Sequence, residues 1–256
     1  MIIDVLKEKL EKCEKIFATM HGEMNSTRLP VIYKGSGLDF IVMDLEHGAF
    51  NPEMIGDFLQ ICNIVELPVI IRVQDCEYHC ISKPLDMGAD GIMIPRTETM
   101  EQVETAIRCA RYYPRGRKGC GGFSNLRAED KGSVDNYNDN RLIFIQMESN
   151  EGLDILPQIL ENYGKELAGV LIGPYDASIM IGTPLDIMSD AMTDYIRKVF
   201  AVCTNYGIAC GSFVDGPALF ARYRDLGANV YWTGTDIGML CTGFKMTCDA
   251  FQNEVK

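Results

Sequence analysis

The feature that most constrains this chain is a set of eight short apolar runs, each separated from the next by a longer segment of helical pattern. The runs are 16–20 (IFATM), 39–45 (DFIVMDL), 69–73 (VIIRV), 91–95 (GIMIP), 143–148 (IFIQME), 169–173 (GVLIG), 208–214 (IACGSFV) and 229–234 (NVYWTG). Several are apolar at every position, not at alternate ones, as strands are when both faces are covered. The intervening segments carry helix punctuation. Asn51-Pro52-Glu53 supplies a cap and a first-turn proline. Residues 98–111 place Met100, Val103, Ile107 and Ala110 on one face. The phrases Met87-Gly88-Ala89-Asp90-Gly91 and Leu226-Gly227-Ala228-Asn229 each end a helix on glycine just before a strand.

Eight strand–helix alternations in 256 residues predict an α/β fold, a closed (β/α)8 TIM barrel. An open dinucleotide-binding sheet would need a glycine-rich turn after its first strand, and HGEMNSTRLP has none. No linker or composition shift divides the chain, so residues 1–256 read as one domain. A helix over 2–15 is expected to close the barrel floor, and one over 237–252 to end the chain.

With 36 acidic against 24 basic residues the chain carries a net charge of −12. That argues against nucleic acid or an anionic membrane as partner. Residues 3–15 are too charged for a secretion signal, and no apolar run approaches the ~18 residues of a membrane span. Ten cysteines are scattered without a paired CxxC; even Cys76-x-x-His79-Cys80 reads better as packing than as a zinc site. These features suggest a reducing cytoplasm.

In such barrels the chemistry sits at the C-terminal ends of the strands. Strand two ends Asp44-Leu45-Glu46-His47-Gly48, strand three carries Arg72, strand five ends Gln146-Met147-Glu148, and strand six ends Gly173-Pro174-Tyr175-Asp176. Two carboxylates at adjacent strand tips, Glu148 and Asp176, form an oxygen donor set suited to Mg2+, Mn2+ or Co2+. Gln146 shares the face of Glu148 by strand periodicity. His47 follows a very apolar strand and precedes a glycine that allows a tight turn, which favours catalysis over packing. Lone histidines such as His21 and His79 read as packing or surface residues. Arg72 is either half of a structural ion pair or an anchor for a substrate anion. The cationic segment 115–122 (RGRKGCGG) is either a substrate loop or a solvated connection.

Six phrases, FIVMDLEHGAFN (40–51), PVIIRV (68–73), MGADGIMIPR (87–96), YYPRGRKGCGG (112–122), QMESNEG (146–152) and GVLIGPYDAS (169–178), span nearly the whole chain. In order and spacing this set resembles the HpcH/HpaI family of metal-dependent 2-oxo-acid aldolases, whose barrels are of the phosphoenolpyruvate/pyruvate type. The resemblance implies Glu148 and Asp176 as metal ligands. Pyruvate would chelate the cation in a site bordered by Gln146 and the Gly173-Pro174-Tyr175-Asp176 turn, with its carboxylate held by the backbone amides near Tyr175–Asp176. Arg72 would steady the enolate oxygen, and His47 would transfer the proton. Asp86 corresponds to a carboxylate that reaches His47 from a neighbouring subunit in trimeric or hexameric assemblies with exchanged C-terminal helices. Pro84, however, is expected to kink or restart the helix presenting Asp86. After strand six, Ala177-Ser178-Ile179-Met180 departs from the family's usual phrase.

The expected reaction is cleavage or formation of the C–C bond of a 4-hydroxy-2-oxo acid, giving pyruvate and an aldehyde. A metal and a guanidinium stabilise the enolate charge without a covalent intermediate. No lysine lies in any of the eight runs, which argues against a Schiff-base mechanism. Two alternatives stand beside it: an acyl-CoA lyase of the citrate lyase β or malyl-CoA type, and a non-catalytic barrel that binds an oxo acid.

Overall fold

A computed structural model describes residues 2–254. The strands are β1 (Ile16–His21), β2 (Phe40–Asp44), β3 (Val69–Arg72), β4 (Gly91–Ile94), β5 (Leu142–Gln146), β6 (Gly169–Ile172), β7 (Cys210–Val214) and β8 (Val230–Thr235). Each pairs in parallel with the next, and β8 pairs with β1 to close the barrel. All eight expected runs are therefore strands. The helices are α1 (Ile2–Glu11), α2 (Leu29–Gly35), α3 (Pro52–Ile64), α4 (Tyr78–Asp86), α5 (Met100–Ala110) and α6 (Val134–Asn140). They continue as α7 (Asn150–Tyr163), α8 (Pro174–Met180), α9 (Asp190–Tyr206), α10 (Pro217–Asp225) and α11 (Asp236–Glu254).

Two apolar clusters reflect the two faces of the strands. Ile16, Ala18, Phe40, Val42, Ile70, Met93, Phe144, Leu171, Val230 and Trp232 fill the barrel, with Leu6 and Leu10 of α1 packed on its floor. Ile41, Met43, Val69, Ile71, Ile143, Ile145, Val170 and Ile172 point outward and join the helices in the larger cluster. Alternation then determines what reaches the mouth. Asp44 continues the inward row of Phe40 and Val42; Arg72 follows Ile70; Gln146 and Glu148 follow Phe144.

Two local expectations are corrected. Helix α1 ends at Glu11, not 15, because Cys13 turns the chain at φ 51°. Helix α4 runs unbroken through Pro84 to Asp86, so the proline does not restart it. Pro84 lies in the last turn, where only one backbone bond is lost. The Met87 N–H donates to Lys83 O, and the Ala89 N–H donates to Pro84 O, which closes the end. Asn51 caps α3 as expected, its side chain accepting from the Met54 N–H at 3.0 Å. No helix among the described residues is long and apolar enough to cross a membrane.

Candidate active site

The residues expected at the strand ends converge on the barrel mouth. A cavity of about 310 Å³ is lined by His47, Arg72, Gly173, Pro174, Tyr175 and Asp176, together with side chains of β1, β7 and β8. A second, of about 480 Å³, is lined by Glu148, Asp176 and the β4 loop around Arg96. Asp176, in the first turn of α8, borders both. His47 also borders a third hollow of about 380 Å³ with Asp44, Glu23 and Asp236.

Arg72 is buried and held as a fork. Its Nε donates to Asp44 Oδ1 at 2.8 Å and its Nη2 to Asp44 Oδ2 at 2.6 Å. Glu46 lies 3.4 Å from Nη1. Burial works against the charge, but the Asp44 hydrogen bonds and the carboxylates of Glu46 and Glu148 hold the guanidinium protonated. Arg72 is thus half of a buried ion pair with Asp44, and it also lines the cavity.

Asp44 does more than pair. Its Oδ1 accepts the Glu46 N–H at 3.0 Å and the His47 N–H at 3.4 Å, shaping the turn that exposes His47. Gly48 completes that turn because a Cβ there would sit 2.2 Å from Asp44 O. The His47 side chain is 64% exposed at the mouth, 4.0 Å from Glu46. Glu46 also meets Arg96 Nε at 3.3 Å. Burial raises the Glu46 pKa, although Arg72, His47 and Arg96 oppose that shift.

Glu148 is the most perturbed of these carboxylates. Burial, and then the negative charge of Asp176, pushes its pKa up to about 8. Gln146 Nε2 donates to Glu148 Oε1 at 2.8 Å, and the Arg96 N–H donates to Oε2 at 3.0 Å. Arg96 adopts φ 46° in the course of that contact. Gln146 Oε1 is buried without a partner.

Among the described residues no three His, Cys, Asp or Glu side chains cluster closely enough to hold a metal by themselves. The pair Glu148 and Asp176 nevertheless fits a hard divalent cation that keeps positions for water and substrate. Asp176 adds a like charge beside the buried Glu148, which Arg72 only partly offsets, Gln146 Oε1 lacks a donor, and Gly173 leaves the space free. A Cβ at Gly173 would fall 2.0 Å from Glu148 Oε1.

The HpcH/HpaI aldolase/citrate lyase profile matches residues 20–242. The chain belongs to this family. It is 29% identical to a hydroxypyruvate/pyruvate aldolase of Roseobacter denitrificans, over 93% of both chains. It is 31% identical to a 2-keto-3-deoxy-L-rhamnonate aldolase of Salmonella gallinarum, over 78% of this chain and 76% of that one. The solved HpcH/HpaI aldolase of Desulfitobacterium hafniense superposes with a TM-score of 0.87 at 24% identity, covering 96% of each chain. The protein is a carbon–carbon lyase of the HpcH/HpaI aldolase kind.

In this HpcH/HpaI aldolase, Asp86 does not line the mouth of its own barrel. It sits at the end of α4, and its carboxylate is paired with the buried Lys118 ammonium. The cationic segment is likewise tied down. Arg115 pairs with Asp139 and Glu166, Arg117 stacks over Tyr113, and the Gly119 N–H donates to Tyr78. His21 is a packing residue, between Phe58 and Phe50, but it also lies 3.3 Å from Asp236. Sequence reading missed Asp44, Glu46 and Arg96 as site residues. Inward parity with Phe40 and Val42 was the available signal for Asp44; the contact of Arg96 with Glu148 is made by its backbone N–H, which no residue type announces.

Proposed function

We propose that this aldolase cleaves a 4-hydroxy-2-oxo acid to pyruvate and an aldehyde, or runs the reverse addition, with a divalent cation held by Glu148 and Asp176. The observation that carries this reading is the buried Glu148, pushed up to about 8 beside Asp176 in the mouth that Arg72 and His47 also border. Burial beside Asp176 disfavours the Glu148 anion, and a divalent cation held by the two residues would supply the missing positive charge. Mg2+, Mn2+ and Co2+ all suit the oxygen donors.

His47, exposed at the mouth, takes the proton from the 4-hydroxyl in cleavage. The C3–C4 electron pair passes to the pyruvate fragment as an enolate. The cation, when bound, supplies Lewis-acid stabilisation of that negative charge. Arg72, fixed in orientation by Asp44, adds a guanidinium already aimed and needing no reorganisation. The Gly173–Asp176 backbone lines the cavity where the pyruvate carboxylate would lie.

Self-association belongs to this reading. Helix α11 projects from the barrel with Met239, Leu240, Phe244, Met246 and Phe251 exposed, and of its residues only Asp236 is buried. A long helix with this much bare apolar surface requires a covering partner. A trimer or hexamer of this chain would supply one, and would bring the part-exposed Asp86 toward a neighbouring site.

The test is exchange of pyruvate methyl protons with solvent deuterium, followed by NMR. Exchange is expected with Mg2+, Mn2+ or Co2+. It should stop with chelator and drop sharply in His47→Ala. Pyruvate binding without exchange under every metal would overturn the reading.

A further inference from the structure

The second substrate is decided by what surrounds His47 on the side away from Glu148. There the wall is aromatic. Tyr175 of α8, Phe213 of β7 and Trp232 of β8 form a continuous row, with ring centroids 6.0 Å apart for Tyr175–Phe213 and 6.4 Å for Phe213–Trp232. Met20 of β1 adds a thioether, and Thr235 supplies the one hydroxyl on the β8 side. These side chains share the cavity of about 310 Å³ with His47, Arg72 and Asp176.

Charge in this half of the mouth is one-sided. The hollow on the other side of His47 is bordered by Glu23, Asp44 and Asp236. Among the described residues lining either space, Arg72 is the sole lysine or arginine, and its fork is already taken by Asp44 and Glu46. Arg96 opens to the other cavity, where it meets Glu46 and Gln74 O. Asp44 is matched by Arg72, and Asp236 by backbone N–H groups and His21, so an aldehyde bearing a carboxylate or phosphate would find no free cation to receive it. A polyhydroxylated aldehyde would lose water against three aromatic rings and a methionine with few partners to replace it.

We propose that the aldehyde partner is uncharged and carries an apolar body, aromatic or short aliphatic, which lies on the Tyr175–Phe213–Trp232 wall. This rests on the pyruvate-aldolase reading above. In the addition direction the enolate carbon attacks the aldehyde carbonyl carbon. One C–C bond forms, the carbonyl π pair moves to its oxygen, and that oxygen takes a proton by way of His47. Cleavage is the same step reversed, with no oxidant or reductant.

The experiment uses the full-length chain with Mn2+, pyruvate and four aldehydes: benzaldehyde, butanal, glyceraldehyde and succinic semialdehyde. The expected result is kcat/KM higher for the first two by at least about 10-fold, the scale set by apolar complementarity in a pocket. Phe213→Ala should raise the KM for benzaldehyde and shrink that ratio. Tyr175→Lys, at a position 40% exposed and so tolerant of change, should shift the ratio toward succinic semialdehyde. Equal or better use of succinic semialdehyde or glyceraldehyde by the unaltered enzyme overturns the inference. Methyl-proton exchange run alongside separates the two levels. Exchange with the wrong aldehyde preference removes only the apolar partner, whereas no exchange removes the aldolase reading and this inference together.

Discussion

The floor and the mouth of the barrel both bury matched ion pairs, Arg72 with Asp44 among them, but the mouth also buries a carboxylate beside a like charge. At the floor each buried ion meets its complement. Asp90 is gripped by Arg127 through two hydrogen bonds and also accepts the Val69 N–H. Asp130 is paired with Arg141 and Asn140, and Arg111 with Glu166. At the mouth Glu148 faces Asp176, a like charge, and its nearest support is an amide and a backbone N–H. Burial pushes the pKa of both Asp130 and Glu148 upward. The next influence differs in sign: Arg141 pulls Asp130 back down, while Asp176 drives Glu148 further up. A matched buried pair is a structural device; a mismatched one at a strand tip is a binding site awaiting charge.

The largest expected effect breaks the mouth alone. Glu148→Gln keeps the shape and removes the anion, so metal-dependent turnover should fall on the order of 10³-fold. Its pH dependence sharpens the same point. In metal-free protein Glu148 keeps its proton up to about pH 8, whereas the unfolded chain releases it near the ordinary glutamate value of about 4.3. The folded state then binds more protons across that window, so its stability declines as pH rises through it. Thermal melts should show this decline without metal. Saturating Mn2+ should reverse it, and Glu148→Gln should lack it. A flat pH profile for the unaltered metal-free protein would remove the mismatch on which the mouth–floor contrast stands.

Second in size is damage to the floor. Asp130→Ala leaves Arg141 charged and buried against Tyr137, at a cost of about 3–5 kcal/mol in urea unfolding. The folded fraction should keep its turnover per molecule, which a role in the chemistry would not permit. The smallest effect is at an intermediate place. Lys118→Met removes a buried ammonium from Asp86, but that carboxylate is 31% exposed and can rehydrate. About 1 kcal/mol or less is expected by the same unfolding assay.

The barrel was legible because its signals are local. Eight apolar runs and the glycines that end helices before β4 and β8 need no knowledge of who touches whom. The paired acids Glu148 and Asp176, His47 and Arg72 were legible for the same reason, being polar residues at the ends of apolar strands. What stayed hidden depends on contacts between distant segments. Arg115, Arg117 and Lys118 read as a cationic loop until their partners Asp139, Glu166, Tyr113 and Asp86 are seen beside them. His21 reads as simple packing until Asp236, 215 positions on, arrives at the same strand end.

By itself, then, the chain's order of residues determined the number of strands, their inward rows and which polar groups each row carries to its tip. Those properties follow from a side-chain period of two and from covering both faces of every strand. Only the pairing of neighbouring strands, in register, decided that Asp44 would clamp Arg72, that Tyr175, Phe213 and Trp232 would form one wall, and that Glu148 would lie beside a like charge. Distances between strand tips belong to the closed barrel, and burial and pKa are properties of those distances.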